Sequence, residues 1–284
     1  MPRHILLPLI LLLFLLQGTQ AFSANYEIKK VSDNAYAALV TSGGKATSNA
    51  LFIVTEGGVL LAGAHFTADG IKELQAEIAK VTALPLRYAI LTHHHRGYNY
   101  LDFDFPPEVE MIASWQTWQA LKAETRPLKN PLLYFDNSIS LLRGKLTIIL
   151  SNMERGQADG DLIVYLPDQG VLFTSDLVYN GVVGYMGEGY MRDWVLDLEM
   201  LLEIESRTVV PGLGGVADRE GINRFRLFMK DFITEVLRHV EKGESLAQTK
   251  RGFTLPQYEK LPGYRENFDA NVERAYKQVK EGLD

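Results

Sequence analysis

Tyr88-Ala89-Ile90-Leu91-Thr92-His93-His94-His95 is an apolar run that ends in three consecutive histidines. Its first half carries no charge and reads as a strand buried on both faces. The polar end then falls on the loop past a strand's carboxyl terminus, where α/β folds commonly place functional groups. Side chains alternate along extended backbone, so His93 and His95 face one point while His94 faces away. Two converging imidazoles are the beginning of a metal site, because zinc readily takes histidine nitrogen. A polar surface turn is the plainer alternative, and the core strand directly before the tract argues against it.

On either side of this segment, short apolar strands alternate with amphipathic helices. Strands are expected at Ala35 to Val40, Ala50 to Thr55, Gly58 to Leu61, Val109 to Ala113, Leu146 to Leu150, Leu162 to Leu166, Val171 to Thr174 and Thr208 to Val210. Thr67 caps a helix with Ile71, Leu74, Ile78 and Val81 at helical spacing. Further helices are expected over Ser114 to Glu124, Trp194 to Ile204, Gly221 to Glu241 and Ala270 to Lys280. Phe225, Phe228, Met229, Phe232, Val236 and Val240 form a stripe on the longest of these, and Gly243 ends it. Strands in two clusters, each followed by helices, predict one α/β domain of two sheets between helical layers, an αββα sandwich.

The composition agrees. A chain of 284 residues, 46% hydrophobic and 23% charged, has ordinary globular usage, which excludes collagen-like and low-complexity readings. Its 29 basic and 35 acidic residues give a net charge of −6 without a basic stripe, which argues against nucleic acid as a partner. The absence of cysteine excludes disulfides, thiolate ligands and cysteine nucleophiles. Residues 1–21 combine Arg3, an apolar run from Ile5 to Leu16 and a polar stretch ending at Ala21, which is the pattern of a cleavable signal peptide. The run is too short to span a hydrocarbon core of ~30 Å. Cleavage after Ala21 would leave residues 22–284, with a helical tail over about 254–284, in a periplasmic or secreted location and without stable membrane insertion.

Several motifs in order carry a resemblance that covers nearly all of residues 22–284. They are Ser48-Asn49-Ala50-Leu51-Phe52-Ile53-Val54, Gly57-Gly58-Val59-Leu60-Leu61, Thr92-His93-His94-His95, Asp159-Gly160-Asp161-Leu162, Val171-Leu172-Phe173-Thr174-Ser175-Asp176 and Val209-Val210-Pro211-Gly212. Together they resemble the metallo-β-lactamase superfamily. Asn271-Val272-Glu273-Arg274-Ala275-Tyr276 is similar to the end of exported members found with quinoprotein and sulfur-oxidation systems.

The resemblance implies the αββα sandwich and up to two zinc ions that activate water against an ester, thioester or amide carbonyl. Matched residue by residue, the metal site is degenerate. His93, His95 and Asp176 stand at ligand positions, while Gly97, Tyr98, Gln157 and Leu213 stand where the family has an acid or histidine. A supporting acid of the family falls on Gly63. The second metal position keeps only Asp176, which cannot hold an ion alone. The first keeps His93 and His95, with Asp176 and the weak carbonyl of Gln157 as further donors. Two lone histidines, His65 and His239, are candidate outliers, and the plainer reading of each is a satisfied or surface group.

The glycine- and aromatic-rich stretch from Tyr179 to Trp194 is either a flexible connection or a pocket wall above Asp176. In the second case Tyr98, Gln157, Tyr185, Tyr190 and Leu213 line that pocket, with Tyr100 beside Tyr98. Two functions follow from the resemblance. One is an exported pseudoenzyme that binds a small molecule or a periplasmic protein partner. The other is a hydrolase with a single zinc on His93, His95 and Asp176.

Overall fold

The computed structural model describes residues 24–64, 66–95, 105–124 and 127–282. The first sheet has seven strands in chain order: β1 (Tyr26–Lys30), β2 (Ala35–Val40), β3 (Ala50–Thr55), β4 (Gly58–Gly63), β5 (Leu86–Leu91), β6 (Glu110–Ser114) and β7 (Leu132–Phe135). The strands from β1 to β4 pair antiparallel, and from β4 onward the pairing is parallel. Helices α1 (Ala68–Val81) and α2 (Trp115–Lys122) supply two of the crossovers.

The second sheet has five strands in the order β12-β11-β10-β9-β8: β8 (Ser138–Arg143), β9 (Leu146–Asn152), β10 (Leu162–Leu166), β11 (Val171–Asn180) and β12 (Thr208–Gly214). Only β11 and β12 are parallel, joined through α3 (Met191–Glu203). Helices α4 (Arg219–Glu241), α5 (Leu246–Gly252) and α6 (Tyr264–Glu281) complete the outer layer.

Strands in the middle of both sheets are apolar on both faces because both faces are covered. On β3, Leu51 and Ile53 pack between the sheets while Phe52 packs beneath α1. On β11, Phe173 faces inward and Leu172 faces the α3–α4 layer. This αββα sandwich is the expected architecture. Thr67 caps α1 by accepting from Gly70 N at 3.1 Å, and Ile71, Leu74 and Ile78 are buried. Val81 ends the expected stripe exposed, since it lies on the last turn.

The elements that pattern reading missed lie at edges. β1 and β7 border the first sheet and β8 borders the second, so their half-exposed faces dilute the apolar signal. α5 is short and buries only Thr249, although the capping box of Ser245 and Gln248 marked its start. α6 begins at Tyr264, ahead of the expected Ala270, and its first turns bury Tyr264 and pack Phe268 against the helix-side core. Residues 1–21, read as a signal peptide, lie outside the described residues. Among the described residues no helix is long and apolar enough to cross a membrane.

Asn49 stitches the two sheets together. It is buried, its Oδ1 accepts from Val40 N at 2.8 Å, and its Nδ2 donates to Pro211 O at 2.8 Å and Gly214 O at 2.9 Å. Its own backbone N donates to Gly212 O at 2.7 Å. Thr92 makes a second stitch: its carbonyl accepts from Leu162 N at 2.7 Å, while its N donates to Gly63 O at 3.1 Å. Replacing Asn49 by Ala strands buried backbone groups on both sheets. Urea denaturation of Asn49→Ala should show a loss on the order of 2–4 kcal/mol with an unchanged m value.

Candidate functional site

His93, His94 and His95 leave the end of β5 and are all buried. Alternation separates them as the strand geometry requires. His94 turns to Glu124 at the end of α2, with Nε2 3.3 Å from Oε2, and burial holds its pKa below the usual histidine value. The rings of His93 and His95 share one pocket, 5.0 Å apart and edge to face.

His95 is held at both nitrogens. Nδ1 lies 2.8 Å from Glu188 Oε2, and Nε2 lies 2.9 Å from Gln157 Oε1. The Gln157 amide is oriented by its own donation from Nε2 to Tyr185 O at 3.4 Å, so its oxygen faces His95. A carboxylate oxygen can only accept, so Nδ1 donates to Glu188, and with Nε2 facing the Gln157 oxygen both ring nitrogens are taken up. Burial pulls its pKa down, but the hydrogen bond and charge of Glu188, with Asp176 and Asp161 nearby, raise it above the ordinary value. The same bond lowers the pKa of Glu188.

His93 sits between two buried carboxyls, with Nδ1 3.7 Å from Asp161 Oδ1 and Nε2 3.8 Å from Asp176 Oδ2. Asp176 projects from an irregular stretch of β11, where the register with β12 shifts on either side of Ser175. Ser175 itself has φ of 48°, a left-handed conformation that a non-glycine residue adopts at a cost. It is braced by Thr92, whose Oγ1 lies 2.8 Å from Ser175 Oγ. Ser48 donates to Asp176 Oδ1 at 2.6 Å. Gly212 is required opposite, because a Cβ there would fall 2.1 Å from Asp176 Oδ1.

Burial pushes Asp176 up to about 6 against the Ser48 bond, and Asp161 up to about 7 despite donation from Ala158 N at 2.8 Å. A third carboxyl, Asp197 on α3, stands behind them. A Cβ on Gly156 would lie 2.6 Å from Asp197 Oδ2 and 3.1 Å from Asp161 Oδ2, so the missing side chain lets both acids approach one point of backbone. Burial, and next the charge of Asp161, push Asp197 up to about 8.

The remaining expected positions fall as follows. Tyr185 lies edge to face with His95 at 6.3 Å, beside Gln157. The Tyr190 ring lies between the Arg155 and Arg274 guanidinium groups, at 5.3 Å and 5.4 Å, and its backbone caps α3. Leu213 is half-buried on β12 and packs against the helix-side core. Gly63 has no space for an acid, since a Cβ would lie 2.9 Å from the Phe66 ring. His239 is buried on α4 with Nδ1 2.6 Å from Glu244 Oε2, a bond within the helix-end packing. His65, Gly97, Tyr98 and Tyr100 lie outside the described residues.

The glycine-rich stretch is fastened by α6 rather than left as a loose connection. Asn267 donates to Val183 O at 2.9 Å, Asn271 bonds Met186 N at 2.7 Å and Gly184 O at 3.0 Å, and Gln278 accepts from Met191 N at 2.8 Å. Arg274 donates to Gly189 O at 2.7 Å and Glu188 O at 3.2 Å. Ser48, Glu188, Asp197 and Arg274 were not singled out from the sequence. Their partners are distant in the chain, and only Ser48 and Arg274 fell within motifs that the sequence brought out.

Zinc bound at a catalytic site takes three protein ligands. His93 and Asp176 stand close enough to share an ion, but His95 has no free nitrogen to add while Gln157 and Glu188 hold it. Among the described residues no group of three His, Cys, Asp or Glu side chains is arranged to hold a metal. The described residues therefore do not fit a resident zinc ion in this arrangement.

Two facing sheets with helices outside, and a polar site at the end of β5 beside Asp176 of β11 and Gly212 of β12, define a class of αββα sandwich proteins. Comparison with solved structures names it: the chain has the metallo-β-lactamase fold. A metallo-β-lactamase from Pontibacter korlensis superposes with a TM-score of 0.59 at 19% identity, covering 72% of this chain and 99% of that one. The DIM-1 metallo-β-lactamase gives 0.60 at 22% identity over 73% and 98%. In sequence, the metallo-β-lactamase type 2 of Elizabethkingia meningoseptica is 25% identical over 189 residues, 63% of this chain and 75% of its own length. No protein-family model matches.

The raised Asp197 pKa has a testable sign. An acid held protonated in the fold but ionised when unfolded weakens the fold as pH rises from its unfolded value toward its folded one. Stability should therefore fall between about pH 4 and pH 8. Thermal melts of the wild type and Asp197→Asn from pH 5 to pH 9 should show a shallower decline in the variant, whose Tm overtakes at the alkaline end by about 4 °C or more.

Proposed function

We infer that this chain is a metallo-β-lactamase-fold protein whose zinc site is degenerate, and that it serves as an exported binding or accessory protein with lost or much reduced hydrolase activity. The observation that carries this reading is the state of His95. Its Nδ1 is 2.8 Å from Glu188 and its Nε2 2.9 Å from Gln157, so both ring nitrogens are engaged by side chains rather than left open toward a metal. Replacement of ligand positions by Gln157 and Leu213, and in sequence by Gly97 and Tyr98, supports the same reading. A buried donor flanked by Tyr185 suits an anionic or carbonyl-bearing small molecule that accepts from His95 in place of Glu188.

The 3.8 Å separation of His93 Nε2 and Asp176 Oδ2 favours a second reading, a hydrolase with one zinc on His93, His95 and Asp176. It requires His95 to leave Gln157. Elemental analysis of the purified protein separates the two. Zinc well below one per chain, and no chelator-sensitive hydrolysis of a chromogenic lactam or thioester, is the expected result. Stoichiometric zinc that disappears on His93→Ala would establish the second reading.

A further inference from the structure

A separate groove opens on the flank of the molecule between α2 and α3, with a volume of about 1350 Å³. Its rails are apolar and face solvent: Trp115 is 38% exposed, Leu196 57% and Met200 59%, and the Tyr134 ring lies tilted against Trp115 at 4.9 Å. Large apolar side chains clustered beside a concavity, unlike scattered ones, mark a surface that receives something.

The groove is also acidic. Glu124, Glu154, Asp159 and Asp193 line it against Arg155, the one cation among its described lining residues, and Asp197, whose pKa burial raises, adds no charge of its own. Arg155 is drawn to Asp159 at 3.6 Å and lies over the Tyr190 ring, which spends its charge locally. Lys122 sits 5.8 Å from the Trp115 ring but does not line the groove. Asp197 is 6% exposed, and its Oδ2 has no hydrogen-bond partner among the described residues.

We propose that this groove docks an amphipathic, lysine- or arginine-bearing segment of a partner protein, with apolar side chains on Leu196, Met200 and Trp115 and cations toward the acidic wall. The size supports a peptide rather than a small molecule, whose sites run about 300 to 1,000 Å³. An amphipathic helix laid in a groove is a recurring mode of recognition that uses this combination of apolar rails and flanking charge. The proposal does not depend on how the histidine site is read, because its groups reach that site only through Glu124 on His94 and through Asp197 beside Asp161.

The test uses the whole protein and a labelled amphipathic peptide of leucine and lysine, about 14 residues long, with a leucine and glutamate peptide of the same pattern. Fluorescence anisotropy should show saturable binding of the lysine peptide only, weakened roughly tenfold between about 50 and about 300 mM salt. Asp193→Lys and Leu196→Gln should each weaken it at least about tenfold, while Glu27→Lys on β1, at the far edge of the first sheet from α2, should leave it unchanged. All three positions are exposed, so the fold is preserved. Equal binding of both peptides, or equal effects of Asp193→Lys and Glu27→Lys, would overturn the proposal in favour of attraction by net charge alone. Concentration-dependent dimerisation abolished by Leu196→Gln would overturn it in favour of a second copy of this chain.

Discussion

The architecture depends on one buried amide. Two sheets packed face to face are held mainly by apolar contact, which has no direction and would tolerate small slips. Asn49 removes that freedom by bonding β2 and β12 from a single side chain, and no other placement satisfies its donors and acceptor together. Gly212, whose carbonyl it also engages through its backbone, lies directly against Asp176. The register of the two sheets and the position of the site's innermost acid are therefore one constraint. Ser48, the preceding residue, extends it by bonding the carboxyl itself.

The site is organised around titratable groups buried away from solvent. Three carboxyls behind the histidines are all pushed upward by burial. His95 is the exception: the half-buried Glu188 allows it to stay charged where Asp161 and Asp176 gain from its presence. In a pocket of this kind a protonated histidine does part of what a metal would do electrostatically, without the open coordination positions that make a metal reactive.

The middle of both sheets was legible in the sequence because a strand covered on both faces is apolar throughout, as in Ala50-Leu51-Phe52-Ile53 and Tyr88-Ala89-Ile90-Leu91. Edge strands were not, because Ser138–Arg143 alternates between exposed and half-buried positions and imitates a loop. His93 and His95 were legible through alternation alone. Glu188 and Asp197 were not, since a glutamate in a glycine-rich stretch and an aspartate within a helix look like ordinary surface residues until the fold sets one on His95 and the other behind Asp161. The breadth of Tyr179 to Trp194 as a candidate wall was readable from its glycines and rings, but its rigidity was not. That rigidity comes from asparagine, arginine and glutamine side chains on a helix whose own pattern is polar.

The bonds from α6 to residues 183–191 join positions 84 to 87 apart in sequence. The wall that carries Glu188 is therefore held in place by a helix outside the two sheets, so a change on the buried face of α6 reaches His95 without touching either sheet.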